Sequence, residues 1–285
     1  MAAQLVIGAS GQVGHHLVRT IERRGREVVG TGRRDLDIRD REAVSRVVDR
    51  IAPNVVYLAA YSANVDACEL DPASTYETNV VGVANVVEAA TRAGAKLVFF
   101  SSDYVFDGDA GPYREDDLPN PLSAYGRQKL IGEHVVATRA ADWLVVRTTG
   151  VYGWEPQRKN FVCGILAAFG RGETVRVPFD QIGTPTYAPS LAHATFELAT
   201  RGASGVYNIA GSGLVARDAF ARAAAEAFGY DTGLVESITT AEQTRPAPRP
   251  LRGGLVVDKA VAEVGAQLFP DYRAGLERMR AEQAA

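Results

Sequence analysis

Val6-Ile-Gly-Ala-Ser-Gly-Gln-Val-Gly14 is the stretch whose reading decides the fold. A short apolar run, Gln4–Ile7, breaks into glycines at 8, 11 and 14. A helical pattern over residues 11–24 follows, with Val13, Leu17, Val18 and Ile21 on one face. Gly8 permits a tight turn off the strand, Gly11 lets the backbone approach a pyrophosphate, and Gly14 allows close helix–strand packing. The N–H groups and partial positive charge at the helix start would then face the phosphates. Ser10, Gln12 and Val13 complete the expected contact surface. A glycine triplet alone is a weak signal; the strand before it and the helix after it supply the context.

Working outward, strand and helix patterns alternate. Residues 27–31 read as a second strand, Asp40 caps a helix over Arg41–Ile51, and residues 54–58 form a third strand. A long helix is expected from Pro72 to about Ala93. Residues 96–101 are a near-continuous apolar run, as in a parallel strand covered on both faces. A loop rich in Asp, Gly and Pro spans residues 107–123, then come another helix and a strand at 143–147. Such alternation predicts βαβ units and a parallel sheet with right-handed crossovers. The second half is less regular. It suggests helices at 160–171, 190–200 (capped by Ser190) and 216–229, strands at 174–177 and 206–209, and a loop at 244–250. The expected fold is α/β: a Rossmann-type doubly wound parallel sheet over residues 1–150, and over 151–285 a smaller, interleaved C-terminal substrate lobe that shares in the sheet.

The second strand ends Val29-Gly-Thr-Gly-Arg-Arg34, with no acid at its tip. An NAD site usually places Asp or Glu there, ~20 residues beyond the glycines, to bind the ribose 2′-OH. Guanidinium groups suit a 2′-phosphate instead. Arg33 and Arg34 therefore predict NADP, with NADPH preferred over NADH.

Tyr125 and Lys129, in Ser123-Ala-Tyr-Gly-Arg-Gln-Lys129, fall on one face of a helix. An unperturbed tyrosine has a pKa of ~10. A unit charge ~4 Å away at an effective dielectric of ~20 is worth ~4 kcal/mol, or ~3 pKa units. Lys129 is thus expected to draw Tyr125 toward neutrality, where general acid catalysis works best. Ser101 and Ser102 stand at the C-terminal end of the fourth strand, where ligands sit in such sheets. The combination points to hydride transfer to a carbonyl, with Tyr125 supplying the proton.

The remaining composition narrows the class. The chain has 285 residues, 46% hydrophobic, with a net charge of −3. That suits a globular core and offers no basic surface for nucleic acid. No stretch of ~18 apolar residues suggests a membrane span, and the N-terminus runs straight into a strand, so a cytoplasmic protein is expected. Cys68 and Cys163 read as buried thiols. His15, His16, His134 and His193 are scattered, so no metal site is expected. Trp154 reads either as a stacking platform or as a packed aromatic, and Arg147 as a partner of either Glu133 or a phosphate.

The sequence resembles the extended short-chain dehydrogenase/reductases, and within them the dTDP-4-dehydrorhamnose reductase group. The matching stretches are residues 8–14, Leu36-Asp-Ile-Arg-Asp40, Pro53-Asn-Val-Val-Tyr-Leu-Ala-Ala-Tyr61, Val65-Asp66, Asn79, Ser101-Ser-Asp-Tyr-Val-Phe-Asp-Gly108, residues 125–129 and Asp180-Gln-Ile-Gly-Thr-Pro-Thr186. The resemblance implies that Ser102, Tyr125 and Lys129 are catalytic, Lys129 also binding ribose. It implies that Asp37 and Ile38 border the adenine. Leu58, Ala59, Ala60, Tyr61 and Ser101 would line the cofactor cleft, and Asn79 would support it. Val65, Asp103, Tyr104 and Phe106 would lie near substrate, and Asn160, Gln181 and Thr184 in a sugar-nucleotide lobe. Two departures fall on the sugar side. Gly150 stands in Arg147-Thr-Thr-Gly-Val-Tyr152 where the group carries an indole. Arg249-Pro-Leu-Arg-Gly-Gly-Leu255 lacks the group's Asn and Ser. The implied activity is NADPH-dependent reduction of the 4-keto group of a nucleotide-linked deoxy sugar, in a family where homodimers are common. The alternatives are a nucleotide-sugar epimerase or dehydratase that recycles its cofactor, and a non-catalytic NADP-binding regulatory subunit.

Overall fold

Alternate residues of the central strands are apolar on both sides, and the computed structural model, which describes residues 3–283, covers both sides with helices. The chain runs β1 (Gln4–Ile7), α1 (Gln12–Arg23), β2 (Val28–Thr31), α2 (Arg41–Ile51) and β3 (Val55–Leu58). It continues through α3 (Val65–Leu70), α4 (Pro72–Tyr76), α5 (Gly82–Arg92), β4 (Lys96–Ser102), α6 (Ala124–Arg139) and β5 (Trp143–Thr148). Val6, Tyr57, Val98, Phe100 and Val146 pack on one face with Leu17 and Ile21 of α1. Leu5, Ile7, Val56, Leu97 and Phe99 pack on the other with Val44, Val48, Val83 and Val87 of α2 and α5.

After β5 the chain leaves the sheet and then comes back to it. It forms β6 (Val151–Tyr152), α7 (Phe161–Phe169), β7 (Val175–Pro178), β8 (Ile182–Gly183) and β9 (Thr186–Tyr187). Then α8 (Ala188–Thr200) packs against α1, and β10 (Gly205–Asn208) pairs in parallel with β5. The six-stranded sheet therefore runs β2-β1-β3-β4-β5-β10, with its last strand drawn from the second half. A separate core gathers Tyr152, Val162, Ile165 and Phe169 with Phe220, Leu276 and Met279. The last three come from α9 (Arg217–Phe228) and, after the short β11 (Val215–Ala216) and β12 (Val235–Ile238) and the helix α10 (Asp258–Val264), from α11 (Tyr272–Gln283).

Three expectations need correction. The helix expected from Pro72 to Ala93 is broken by a wider π turn, Glu77–Val81. The turn holds Asn79, fully buried and bonded to Ser62 and Gln128. The extra residue per turn, typical of functional sites, has no periodic signature. Helix α3 was not foreseen, since six residues are too few to show a period; Asn64 caps it through the Ala67 N–H. Ser190 does not cap α8. That helix starts at Ala188 with Pro189 in its first turn, where a missing N–H costs nothing, and Ser190 is buried inside it.

Arg147 also finds its partner here. Its Nε and Nη2 donate to the two carboxylate oxygens of Glu133 at 3.0 and 2.7 Å, joining β5 to α6. Both side chains are less than a tenth exposed. The arginine is therefore committed to the fold and not to a phosphate. Arg147→Met would leave Glu133 buried and unpaired, at an expected cost of about 3–5 kcal/mol in urea unfolding. Adding Glu133→Leu is expected to recover most of that loss. A single mutant within about 1 kcal/mol of wild type would contradict this reading.

Candidate active site

The sheet changes direction between β1 and β3, the switch point where ligands bind in doubly wound sheets. There Gly8 leaves β1 at φ +95°, and a Cβ on it would lie 2.5 Å from the Ala60 N. A Cβ on Gly14 would lie 2.2 Å from the Gly8 carbonyl oxygen. Gly11 precedes α1 with no side chain capping the helix, so its first N–H groups face the cleft. Gly8, Ser10 and Gly11 form one side of this cleft, Ala59, Ala60, Tyr61 and Ser62 another, and Gly32, Arg33, Asp37 and Ile38 a third. Leu58 is buried as the last residue of β3, while Gln12, Val13 and Gly14 build the first turn of α1 behind the lining.

The adenine side differs in part from expectation. Arg33 lines the cleft, but Arg34 points to solvent outside it. Arg39, which the sequence analysis gave no role, lines it as well. Arg39 Nε donates to Asp37 Oδ1 at 2.9 Å, and the guanidinium holds that carboxyl down to about 2. Asp37 is thus charged and already paired. Asp35, beside the strand tip, accepts from the Gly32 N–H at 2.8 Å and serves the turn. The Asp37-x-Arg39 spacing was the available signal.

Ser102 ends β4. Its Oγ donates to Asp103 Oδ1 at 3.1 Å, accepts from the Tyr104 N–H at 3.2 Å and is hydrogen-bonded to Tyr125. Ser123 caps α6 through the Gly126 N–H, placing Tyr125 in the first turn. A Cβ on Gly126 would sit 2.1 Å from the Tyr104 carbonyl oxygen, so α6 seats its backbone directly on the strand end. The Tyr125 ring stands edge-on between Tyr61 at 5.8 Å and Tyr104 at 5.6 Å. Tyr61 belongs to the cleft just described and Tyr104 to a second pocket. Ser101 and Tyr61 have buried hydroxyls with no hydrogen-bond partner. Asn79 accepts from the Ser62 N–H at 2.8 Å and donates to Gln128 at 2.7 Å, bracing the cleft wall against α6.

Lys129 lies beneath this group. Its Nζ donates to the Phe100 carbonyl at 2.7 Å and sits 3.2 Å from the centre of the Tyr61 ring. It lies 5.8 Å from the centre of the Tyr125 ring. Burial lowers its pKa to about 7 and pushes the Tyr125 phenol above its ordinary value. The expected pull of Lys129 on Tyr125 is therefore corrected. The ammonium is engaged by a carbonyl and a ring face, and desolvation of the phenol outweighs its interaction with Ser102.

The second pocket is lined by Asp103, Tyr104, Thr149, Gly150, Gln181, Thr184 and Arg217, among others. Burial raises the Asp103 carboxyl, which accepts from Ser102, Thr149 and the Gly254 N–H. Arg217 lays its guanidinium 4.2 Å from the centre of the Phe161 ring. Close to it Arg249 and Arg245 both pair with Asp66, at 2.9 and 3.2 Å. These arginines were missed, because they come from segments far apart in sequence. Three expected substrate residues lie elsewhere. Phe106 is fully buried and stacked on Tyr113 at 4.2 Å. Val65 opens α3, and Asn160 caps α7. Trp154 is a packed aromatic, edge-on to Phe228 with its Nε1 on the Met279 carbonyl.

The buried lysine has a measurable consequence. Its pKa is about 7 in the folded chain and ~10.4 in an unfolded one. Between those values the unfolded state binds more protons, so its contribution to stability rises with pH and is lost as pH falls through 7. Urea titrations from pH 7 to about 10 are expected to show a shallower rise for Lys129→Met than for wild type; equal slopes would refute the burial.

Comparisons with known proteins agree with this geometry. A family model described as the RmlD substrate binding domain matches residues 2–284. The spore coat polysaccharide biosynthesis protein SpsK of Bacillus subtilis is 35% identical, over 93% of this chain and 92% of its own. The dTDP-4-dehydrorhamnose reductase of Aggregatibacter actinomycetemcomitans is 34% identical over 99% of each chain. The crystal structure of the dTDP-4-dehydrorhamnose reductase of Bacillus anthracis in complex with NADP has a TM-score of 0.93 at 29% identity, covering 99% of each chain. The chain belongs to the RmlD substrate binding domain family, within the extended short-chain dehydrogenase/reductases.

Proposed function

We propose that this protein reduces the 4-keto group of a nucleotide-linked deoxy sugar with NADPH, Tyr125 donating the proton. The observation that carries the reading is the position of Tyr125, held between Tyr61 of the glycine-turn cleft and Tyr104 of the second pocket. A group that protonates a reduced carbonyl has to stand where hydride source and ketone meet. The cleft suits a dinucleotide: its turn has no room for a Cβ at Gly8 or Gly14, its helix start is uncapped, and Arg33 is available to a 2′-phosphate. NADPH bound there would supply the hydride.

The protein's own groups complete the chemistry. Burial keeps the Tyr125 phenol protonated through the neutral range, the form a reductase needs. Ser102 holds the phenol from one side and is placed to bind the substrate oxygen. Lys129 fixes the Tyr61 wall through its contacts with that ring and the Phe100 carbonyl, and in this reading its remaining N–H groups serve the cofactor ribose. Arg217, with Arg249 and Arg245 sharing Asp66, gives the second pocket an excess of positive charge suited to a diphosphate. We place the reaction in the cytoplasm, in keeping with two buried free thiols.

The test is loss of reduced-nicotinamide absorbance with dTDP-linked and other nucleotide-linked 4-keto-6-deoxy sugars. Turnover is expected with NADPH, and about tenfold less efficiently with NADH, a gap that Arg33→Ala narrows. Tyr125→Phe is expected to lower kcat roughly 100-fold or more while NADPH binding stays within about threefold. Near-normal turnover by that variant removes Tyr125 as the acid. Sugar interconversion without net NADPH consumption would favour the epimerase reading.

A further inference from the structure

Residues 153–160 connect β6 to α7, and they cross to the nucleotide-binding half on the way. Both ends of the loop are tied. Asn160 Nδ2 donates to the Gly153 carbonyl at 2.8 Å, and Trp154 Nε1 to the Met279 carbonyl at 2.7 Å. At its centre Glu155 is 6% exposed and its carboxylate accepts from three backbone N–H groups, those of Gln157, Lys159 and Asn160. That convergence curls the chain into a preformed loop, helped by Arg158 at φ +49°. It also occupies the Glu155 charge, so the loop does not present a free carboxylate to an anion. The tip of the loop rests on the glycine turn: Gln157 Nε2 donates to the Ser10 carbonyl at 2.8 Å, and Gln157 lines the cofactor cleft. Val151 of the strand before the loop and Phe161 directly after it line the other pocket.

We propose that Gln157 is a cofactor-binding residue, and that loop 153–160 is a rigid brace set over the pyrophosphate position, joining the two pockets. The inference rests on reading the glycine-turn cleft as the dinucleotide site. A primary amide carries two N–H donors. One is spent on Ser10, between the glycines that would cradle the phosphates, and the other is left for a phosphate oxygen on the same turn. Because the loop is already shaped by Glu155 and Asn160, Gln157 reaches the cofactor without an ordering cost. No motif of the glycine turn or of the Tyr125 helix signals this contact, since it arrives from a segment 147 residues away in sequence.

The experiment is direct titration of NADP+ and NADPH by calorimetry or fluorescence, with no turnover required, on wild type and on Gln157→Ala, Gln157→Glu and Gln157→Lys. The alanine variant is expected to raise Kd about five- to tenfold, as for loss of a hydrogen bond to a charged group. The glutamate variant is expected to bind more weakly still, with the gap closing at high salt, because its carboxylate faces the phosphates. The lysine variant is expected to regain wild-type affinity or better. If all three variants weaken binding equally, Gln157 shapes the loop only and the proposal is wrong. If none changes Kd, it is wrong as well. Failure of the wild type itself to bind either dinucleotide would sink the cofactor reading beneath it, a result distinguishable from both.

Discussion

Backbone lying directly against backbone, with no space for a Cβ, is the constraint on which the rest of this site depends. It occurs at Gly8 against Ala60, at Gly14 against Gly8, and at Gly126 against Tyr104. The first two bring β1, α1 and the end of β3 together tightly enough to form a concave turn of N–H groups. The third seats α6 on the end of β4, which is what brings Tyr125 within hydrogen-bond reach of Ser102. All three contacts lie at the C-terminal edge of the sheet. The glycine-turn cleft, Tyr125 and the second pocket are therefore positioned by one edge, and side chains farther away need only keep that edge rigid. Arg147 with Glu133, and Asn79 with Gln128, do this from beneath.

That rigidity is obtained by burial, and burial governs the chemistry. The simple Coulomb argument from the sequence treats Lys129 as a point charge acting on Tyr125. In the folded chain the same enclosure that brings the two helical neighbours together also removes water from both. It disfavours the ammonium on Lys129 and the phenolate on Tyr125 at once. A neutral phenol is the useful form for an acid, so desolvation serves reduction better than the activation first inferred. Lys129 contributes mainly through geometry, with its Nζ bridging the Phe100 carbonyl and the Tyr61 ring.

How much could be read in advance follows the range over which each signal acts. The strands and helices of the first half were legible because apolar periods run long enough to count, and the glycine turn and Tyr125–Lys129 because each lies within one element. Two-residue strands such as Val151–Tyr152 and Ile182–Gly183 carry no period, and the π turn carries the wrong one. Site residues that arrive from distant segments were invisible for the same reason. Arg217 and Gln157 come from separate segments beyond β5, whereas Phe106, inside a matched stretch, and Asn160 serve packing and capping. A motif match locates a stretch; burial decides which of its side chains face the ligand.

Gly150 shows how backbone and substrate choice are joined. It lines the second pocket and has φ +50°, with the nearest atoms to a Cβ on Pro185 at 3.5 Å. The space would admit a side chain, but the left-handed conformation disfavours one by about 1–2 kcal/mol. The turn before β6 is therefore built for glycine. Around this gap the pocket presents Thr149, the Phe161 ring under Arg217, and the buried carboxyl of Asp103, a mix of one aromatic ring with polar and charged groups. The same brace that carries Gln157 to the cofactor begins at the strand after Gly150 and ends at Phe161. One continuous segment thus runs from the glycine-specific turn at Gly150 to the Gln157 contact on the Ser10 carbonyl, so the backbone at the second pocket and the contact on the glycine turn are set by the same stretch of chain.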